Sequence, residues 1–310
     1  MYFTICIPTY NRANTIGRTL KSLKRQTFQD FEVIVVDDGS TDDTKSLIMK
    51  WENQLPCKYI YKENGGKHTA LNVGIENASG TFFMILDSDD WLEDTGLEIL
   101  YNLCRKIESN DRYSGVLARC VENRTGKIIG AMIPEGVTSF SYIDMHFSFA
   151  YRMELSDCCE CNKTVLIKQY RFPEQPGMKF VPEAWMFDQV GMQYKLLCTN
   201  EVVKRCEYLE DGITLDKNFK IKNNIGYLYH YVSRIENIIP NINASFKIKL
   251  VAWWRYWQAV AIDEAKKGPR VRKITLFGYI VSCIMPIINF AYKLQYRKYW
   301  KIKDSRDRKE

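Results

Sequence analysis

The sequence is poor in histidine and proline, with three His, nine Pro and seventeen Gly among 310 residues. The modest Pro and Gly content excludes collagen-like and low-complexity chains. Hydrophobic residues make up 46% and charged residues 26%, which excludes a disordered chain. A chain of this length can bury one large core or two smaller ones. The composition therefore predicts a globular protein.

Cysteine is abundant, with ten residues, but its spacing is not that of a metal site. Cys158, Cys159 and Cys161 lie close together, whereas seven residues separate Cys198 from Cys206. A zinc site would need a second pair at ligand spacing. An apolar strand begins at residue 2 with no secretory signal before it, so we expect a cytosolic chain whose thiols stay reduced.

The net charge of +7 is unevenly distributed along the chain. Residues 266–310 carry thirteen Lys and Arg against three Asp and Glu, so the remainder is slightly acidic. A basic surface of this kind can bind anionic lipid or nucleic acid. No segment resembles a nucleic-acid-binding module, so we expect no nucleic acid partner.

The first ninety residues alternate between strand and helix patterns. Strands are predicted over 2–7, 31–36, 57–61 and 81–86, and helices over 14–26, 42–51 and 69–77. This alternation predicts an α/β fold with a mainly parallel sheet and helices on both faces. Further strands are predicted over 115–121 and 127–133, and an aromatic-rich helix over 250–262.

Polar clusters follow each of the first four predicted strands, at residues 9–11, 37–40, 64–68 and 87–90. In open parallel sheets, ligands bind outside the carboxyl ends of the strands. Four polar strand ends in succession therefore predict a binding site at one edge of the sheet.

Two carboxylates, Asp87 and Asp89, follow a buried strand on either side of Ser88. Carboxylates in this arrangement can present oxygens to Mg²⁺ or Mn²⁺, which typically bridges a diphosphate. The alternative is an Asp-rich turn that caps a helix beginning near Asp94.

Two other strand ends carry groups suited to a nucleotide. Asp38 could accept hydrogen bonds from a base or a ribose, or it could form an Asx turn with the residues that follow. Lys67, which follows two glycines, could neutralise phosphate oxygens. The Walker spacing is absent, so this segment is not a P-loop.

Residues 1–93 resemble the family 2 glycosyltransferases of the GT-A fold. The matching stretches are ICIPTYNR at 5–12, LKRQTF at 23–28, FEVIVVDDGSTD at 31–42, NGG at 64–66, ALNVGI at 70–75, and ASG at 78–80 continuing to LDSDD at 86–90. The resemblance runs more loosely to about residue 210. It implies a GT-A catalytic domain over 1–210. The last hundred residues are not covered by the resemblance, and their own composition predicts a helical, basic, aromatic-rich region over 211–310.

The resemblance implies inverting transfer from a nucleotide-sugar, most often a UDP-sugar, to an acceptor hydroxyl. By position, Asp38 would bind the uracil edge and Asp89 would hold Mn²⁺ or Mg²⁺ on the diphosphate. The donor would also contact Pro8, Thr9, Tyr10, Gly66, Lys67, Asp87 and Ser88.

An inverting transfer needs a general base. The resemblance implies an acidic pair for this role, and the matching position here reads Glu183-Ala184, with Ala in place of Asp. Either Glu183 or Asp188 could be the base. The Ala also leaves open a non-catalytic sugar-nucleotide-binding or assembly protein, and a nucleotidyltransferase is a second alternative.

The C-terminal region contains nineteen consecutive uncharged residues, 274–292, with basic residues on both sides. A helix of that length is about 28 Å long, barely a membrane span. Positive charge at both ends favours a helix that lies in the membrane surface. The alternative is a helix packed on the protein. We therefore expect a cytoplasmic glycosyltransferase, peripheral at the inner face of the cell membrane, that acts on a glycan or a lipid-linked glycan in polysaccharide biosynthesis.

Overall fold

The computed structural model describes residues 1–147, 157–208, 216–263 and 267–284. The chain divides into two compact units. The first comprises Met1–Gly177 and Met186–Leu209, and the second comprises Met178–Trp185 and Glu210–Glu310. The short segment 178–185 thus belongs with the C-terminal part of the chain.

The described residues of the first unit form a nine-stranded sheet in the order β3-β2-β1-β4-β8-β6-β9-β5, with β7 paired to β9. The strands are β1 (Phe3–Thr9), β2 (Phe31–Asp37), β3 (Cys57–Tyr61), β4 (Phe82–Ile85), β5 (Trp91–Leu92), β6 (Tyr113–Glu122), β7 (Ser139–Phe140), β8 (Cys158–Lys163) and β9 (Lys195–Cys206).

Strands β1 to β4 are mutually parallel, as the alternating sequence pattern predicts. Their carboxyl ends therefore lie at one edge, where Thr9 of β1 is in register with Asp37 of β2. Strand β8 interrupts this order by pairing antiparallel to both β4 and β6, which makes the sheet mixed. The predicted mainly parallel sheet is confirmed.

Helices of the first unit follow or precede these strands. They are α1 (Ile16–Lys24), α2 (Thr44–Met49), α3 (Lys67–Asn77), α4 (Gly96–Ile107), α5 (Tyr142–Phe147) and α6 (Thr164–Ile167). Helix α7 (Ala184–Gly191) begins in the second unit and ends in the first. Leu20 and Leu23 of α1 pack into the sheet's main core with Leu97 and Leu100 of α4. These helices supply the apolar cover that a buried parallel sheet requires.

The strand predicted over 127–133 is wrong. Only one isolated bridge forms there, between Val121 and Ile128. Two backbone hydrogen bonds tie Lys127 and Ile129 to β6, and side chains satisfy further groups, since the buried Arg119 guanidinium donates to the carbonyl oxygens of Ile129 and Ala131. Asn200 likewise bonds both the amide and the carbonyl group of residue 133, at 2.9 and 2.8 Å. With these partners the segment satisfies its backbone groups without forming a regular strand.

Eight of the ten cysteines are buried. Three of them lie on β8, a strand that the sequence pattern did not predict. Burial raises the pKa of Cys198 to about 12, and burial together with the charge of Glu160 raises the pKa of Cys158 to about 12. Such thiols stay protonated at neutral pH and behave as small apolar side chains.

The second unit is helical in its described residues. It contains α8 (Phe219–Lys222), α9 (Asn224–Ser233), a π-helical turn at Arg234–Ile238, a 3₁₀ turn at Ile239–Asn241, and α10 (Phe246–Ile262). The helix predicted over 250–262 is therefore confirmed and begins four residues earlier. Trp253 and Tyr256 of α10 form the centre of its core with Leu228 of α9.

Residues 276–284 are also helical, which agrees with the first part of the predicted uncharged helix. The remainder of that predicted helix, and the basic residues after it, lie outside the described residues. In the described ranges, no helix combines the length and apolar character needed to cross a membrane.

Candidate active site

Loops after β1 and β2 are joined by a set of short hydrogen bonds at the carboxyl edge of the sheet. The Asp38 amide donates to the Thr9 carbonyl at 2.8 Å. The Asn11 side-chain oxygen accepts from the Thr41 amide at 2.8 Å, and the Asn11 amide donates to Ser40 Oγ at 2.9 Å. Asn11 has φ of +50°, a left-handed conformation that Asn tolerates better than most residues. The two loops therefore form one connected surface.

Both carboxylate oxygens of Asp37 accept hydrogen bonds that stabilise this surface. Its Oδ1 accepts from the amide of Ser40, three residues further along, at 2.7 Å. Its Oδ2 accepts from the Tyr59 hydroxyl of β3 at 2.7 Å. Asp37 is almost fully buried, so its role in the described structure is structural.

Asp38 organises the loop after β3. Its Oδ1 accepts from the Gly65 amide at 2.8 Å and from Lys62 Nζ at 2.7 Å, and its Oδ2 accepts from the Gly66 amide at 2.7 Å. Three of about four acceptor positions are therefore used. Gly66 has φ of +98°, which favours glycine at this point. Asp38 thus fixes the two glycines that precede Lys67.

Lys67, the first residue of α3, reaches the strand end of β4. Its Nζ lies 2.6 Å from Asp87 Oδ1. Partial burial opposes ionisation of Asp87, but the ammonium groups of Lys67 and Lys204 outweigh it and hold the pKa of Asp87 below its usual range. The predicted phosphate-binding lysine and one predicted carboxylate are thereby brought into contact.

Asp89 lies in a different electrostatic environment. Burial and the nearby charges of Asp87 and Asp90 raise the pKa of Asp89 to about 6. Asp90 is buried and faces Lys204 of β9, with Nζ 3.1 Å from Oδ2. Three acidic side chains within four residues, Asp87, Asp89 and Asp90, therefore concentrate negative charge around Asp89, which favours a bound cation.

Helix α1 fixes the backbone of this acidic turn. The buried Thr19 hydroxyl lies 2.7 Å from the carbonyl oxygen of Asp90 and 3.1 Å from that of Ser88. Arg18 donates to the carbonyl oxygen of Asp89 at 2.9 Å, and its guanidinium carbon lies 3.9 Å from the centre of the Trp91 ring. All three carbonyl groups of residues 88–90 are therefore held by two adjacent residues of one helix.

The same helix continues the contact with the following segment. Ser22 Oγ accepts from the Leu92 amide at 3.2 Å. The Gln26 side chain donates to the carbonyl of Glu93 at 2.8 Å and accepts from the Leu97 amide at 2.9 Å. Helix α1 and Gln26, which lies just after its end, are thus bonded along the chain from residue 88 to residue 97.

The first three predicted donor-binding residues, Pro8, Thr9 and Tyr10, lie at the carboxyl end of β1. Pro8 and Thr9 are buried at the strand end, and Tyr10 is 47% exposed. Pro8 lies beyond Cys6, the last residue of β1 that is in register with β4. Tyr10 thus offers an exposed ring at the edge where the other predicted residues gather.

The two candidate bases lie on different units. Glu183 directly precedes α7 and belongs to the second unit, where it is half-buried. Asp188 belongs to the first unit and is only 1% exposed. Its Oδ1 is 2.5 Å from His146 Nδ1 on α5, a close hydrogen bond that the sequence pattern did not suggest.

The acidic turn offers carboxylate oxygens, the donor type that hard divalent cations prefer. In the described ranges, no group of three or more His, Cys, Asp or Glu side chains is arranged to hold a metal ion. Magnesium and manganese, however, are commonly bound by one or two carboxylates together with substrate phosphates and waters. The carboxylate of Asp89, with those of Asp87 and Asp90 nearby, fits that kind of site.

The sequence analysis did not identify several residues that contact the predicted site residues or their neighbours: Arg18, Thr19, Tyr59, Lys62, His146 and Lys204. Lys62 directly follows β3, so its place at a strand end was a usable signal. Lys204 pairs with a residue more than a hundred positions earlier, and no local pattern indicates such a partner.

Comparison with known proteins agrees with this geometry. Residues 4–150 match the family model described as glycosyl transferase family 2. The chain carries a family 2 glycosyltransferase domain. The matched range includes the four polar strand ends and the acidic turn, so the resemblance stated for residues 1–93 is confirmed.

Curated relatives of this domain are glycosyltransferases. An uncharacterized glycosyltransferase from Rickettsia prowazekii is 39% identical over 108 residues, which is 35% of this chain and 33% of the relative. A Campylobacter jejuni protein, GalNAc(5)-diNAcBac-PP-undecaprenol beta-1,3-glucosyltransferase, is 32% identical over 143 residues, or 45% of each chain. The matches thus span between a third and a half of these relatives.

Solved structures with similar architecture support the GT-A fold. Staphylococcus aureus TarS 1–349 in complex with UDP-GlcNAc superimposes with a TM-score of 0.57 at 19% identity, covering 91% of this chain and 78% of TarS. The mannosyltransferase PcManGT from Pyrobaculum calidifontis, in complex with GDP-Man and Mn²⁺, gives 0.56 at 19% identity, covering 95% and 83%. The family 2 domain therefore has the predicted GT-A fold.

Proposed function

We propose that this family 2 domain transfers a hexosyl or N-acetylhexosaminyl group from a nucleotide-sugar, most simply a UDP-sugar, to a hydroxyl group of a glycan. The observation that carries the proposal is the convergence of Asp38, Lys67 and Asp87 at one sheet edge through direct contacts. TarS, which has a similar fold, has been solved with UDP-GlcNAc, and this supports a uridine nucleotide.

The donor would lie across the strand ends. Thr9, Tyr10 and the remaining acceptor position of Asp38 would contact the nucleoside. Lys67 would exchange its contact with Asp87 for a donor phosphate oxygen, and its charge would stabilise the diphosphate. Asp87 and Ser88 would then face the ribose.

Asp89 is the residue that we assign to the cation. When bound, Mn²⁺ or Mg²⁺ would neutralise charge on the departing diphosphate. PcManGT, which has a similar fold, was solved with Mn²⁺ and its nucleotide-sugar. Thr19 and Arg18 would keep the acidic turn in place while the donor enters and leaves.

Transfer would proceed by in-line attack of the acceptor oxygen on the anomeric carbon, with inversion. The bond from that carbon to the diphosphate oxygen breaks, and the nucleoside diphosphate leaves. We assign the departing acceptor proton to the Glu183 carboxylate. Asp188 is the weaker choice, because a base must contact the acceptor and this carboxyl group is buried against His146.

We propose that the acceptor glycan is attached to a lipid carrier. The Campylobacter relative is named for action on an undecaprenol-linked glycan, although the match covers 45% of that protein. Lipid-linked glycans of polysaccharide synthesis present their sugars at a membrane surface. We therefore propose a cytoplasmic enzyme that works at the inner face of the cell membrane.

Calorimetric titration with UDP, with and without Mn²⁺, tests the donor site. We expect binding that requires Mn²⁺ and is lost in Lys67→Ala. Equal binding without the metal would contradict the assignment of Asp89. If folded protein binds GDP or dTDP and not UDP, the uridine assignment is wrong.

Product analysis separates the alternatives. A glycosyltransferase releases a nucleoside diphosphate, whereas a nucleotidyltransferase releases pyrophosphate. A sugar-nucleotide-binding protein that lost its base, as Ala184 could suggest, would bind the donor and release neither product with any acceptor.

A further inference from the structure

The helix at residues 276–284 is apolar on the face that packs against α10. Val281 is 3% exposed. Gly278 lies so close to Trp253 that an added Cβ atom would be 2.6 Å from the indole ring, and its carbonyl accepts from Trp257 Nε1 at 2.9 Å. These contacts fix which side of the helix faces inward.

The opposite face is also apolar, and it is exposed. Leu276 is 77% exposed, Tyr279 61%, Ile280 48% and Ile284 59%, and Cys283 is exposed as well. These positions recur at steps of three and four residues, so they form one stripe along the helix. A helix that faces water normally carries polar residues there, but this one carries no charged residue at all.

The apolar surface continues onto α10. The ring of Phe246, which is 69% exposed, lies 5.4 Å from the ring of Phe277 in an edge-to-face contact. Val251 of the same helix is 49% exposed. An apolar surface contributed by two packed helices is typical of a binding face.

Positive charge lies at one end of this surface. Residues 267–284 include four basic residues and no acidic one. Arg270 is held by Asp263 at 2.9 Å, so it serves the local structure. Two exposed basic residues, Arg272 and Lys273, lie a few residues before the helix; the Arg272 side chain is 92% exposed and its Nε lies 3.8 Å from the Glu236 carboxylate.

We propose that this face, which we call the 276–284 face, inserts into the surface of an anionic phospholipid bilayer, with the helix lying in the membrane plane. The apolar stripe would enter the acyl boundary, while Arg272 and Lys273 would contact acidic headgroups. Tyr279 has the amphipathic ring that is enriched at this depth. The inference deepens the membrane contact proposed above, and it is independent of the sugar transfer.

Flotation of the full-length protein with vesicles tests the proposal without any sugar substrate. We expect co-flotation with vesicles of phosphatidylcholine mixed with phosphatidylglycerol, and weaker binding to phosphatidylcholine alone. The double variant Leu276→Glu/Ile280→Glu should partition at least about tenfold more weakly, because two apolar side chains can no longer be buried. Val165→Glu is the matched control, since Val165 is 67% exposed in the first unit.

Charge reversal separates the two parts of the proposal. Arg272→Glu/Lys273→Glu should lower binding to the phosphatidylglycerol vesicles by about tenfold or more, and raising the salt concentration should have the same effect. Binding to phosphatidylcholine alone should change little. An equal loss on both vesicle types would contradict the role of charge.

Cys283 offers a second measurement that needs no substitution. It is the one exposed cysteine among the ten, so an environment-sensitive fluorophore can be attached there in folded protein. We expect a blue shift on adding the anionic vesicles. An unshifted spectrum would overturn the proposal and indicate that this face has no partner. Concentration-dependent self-association that Ile280→Glu abolishes would also overturn it, and would indicate a second copy of the chain as the partner.

Discussion

The two units are distinguished by different side chains, buried polar groups at the sheet edge of the first and an exposed apolar stripe in the second. In the first unit, polar residues such as Asp38 and Thr19 are buried and bonded to backbone groups. In the second unit, large apolar residues such as Phe246 and Leu276 are exposed. Buried polar groups need every partner in place, which specifies one arrangement of a site. Exposed apolar groups favour burial against another body, so the helices of the second unit that carry them are suited to contact with a partner.

The largest expected effect tests whether the first unit's chemistry depends on its acidic turn. Asp89→Asn should lower transfer by about a thousandfold or more, because the carboxylate assigned to the cation is lost. Initial rates with Mn²⁺ and the thermal midpoint should be measured together. Asp111→Asn, which alters an exposed carboxylate, is the control and should retain its rate. Undiminished activity in Asp89→Asn would refute the assignment.

A second pair of variants distinguishes the proposed catalytic base from a carboxylate that stabilises the fold. Glu183→Gln should reduce kcat by about a hundred- to a thousandfold with little loss of stability, because it removes the proposed base. Asp188→Asn should chiefly lower the thermal midpoint, since His146 loses a buried partner. The reverse result would be an Asp188→Asn variant that is stable but inactive and a Glu183→Gln variant that remains active. It would make Asp188 the base and Glu183 the supporting residue.

A smaller effect is expected where α1 holds the acidic turn. Thr19→Val should weaken Mn²⁺-dependent UDP binding by about tenfold, because the carbonyl groups of residues 88 and 90 lose their donor. Thr19→Ser keeps the hydroxyl and should restore binding. Ser22→Ala, on the same helix, should lower stability and leave UDP affinity unchanged. If Thr19→Val, Thr19→Ser and Ser22→Ala all lost the same UDP affinity, the Thr19 hydroxyl would not be specifically required, and Thr19 would contribute only packing.

The smallest effect concerns stability away from the site. The Glu32 carboxylate is partly buried, which opposes ionisation. Hydrogen bonds from Thr4, Ser79 and Gly80 outweigh burial and hold the pKa of Glu32 below its usual range. The stabilisation is therefore present at neutral pH and lost as pH falls through the folded pKa.

Denaturant titration across pH measures this contribution. Glu32→Gln should cost about 1–2 kcal/mol at pH 7. The difference from the wild type should shrink below about pH 4, as Glu32 becomes protonated in the wild type. A difference that stays constant down to pH 3 would show that ionisation of Glu32 is not involved.

Sequence reasoning was most successful where the pattern is local. The four parallel strands β1 to β4 and the helices between them follow from apolar periodicity, which reports directly which face of an element is buried. It was wrong over 127–133, where an apolar run suggested a strand. There the long side chain of Arg119, from a neighbouring strand, supplies the hydrogen bonds that a strand partner would otherwise provide.

The sequence by itself determined that the polar ends of β1 to β4 gather at one edge, because the carboxyl ends of parallel strands lie on the same side of the sheet. It also determined that the C-terminal region is basic and apolar. Only the tertiary structure decided that Asp38 holds Gly66, that Lys204 neutralises Asp90, and that the apolar stripe of 276–284 faces outward. These contacts join segments far apart in the chain, and their choice depends on packing geometry that no local pattern encodes.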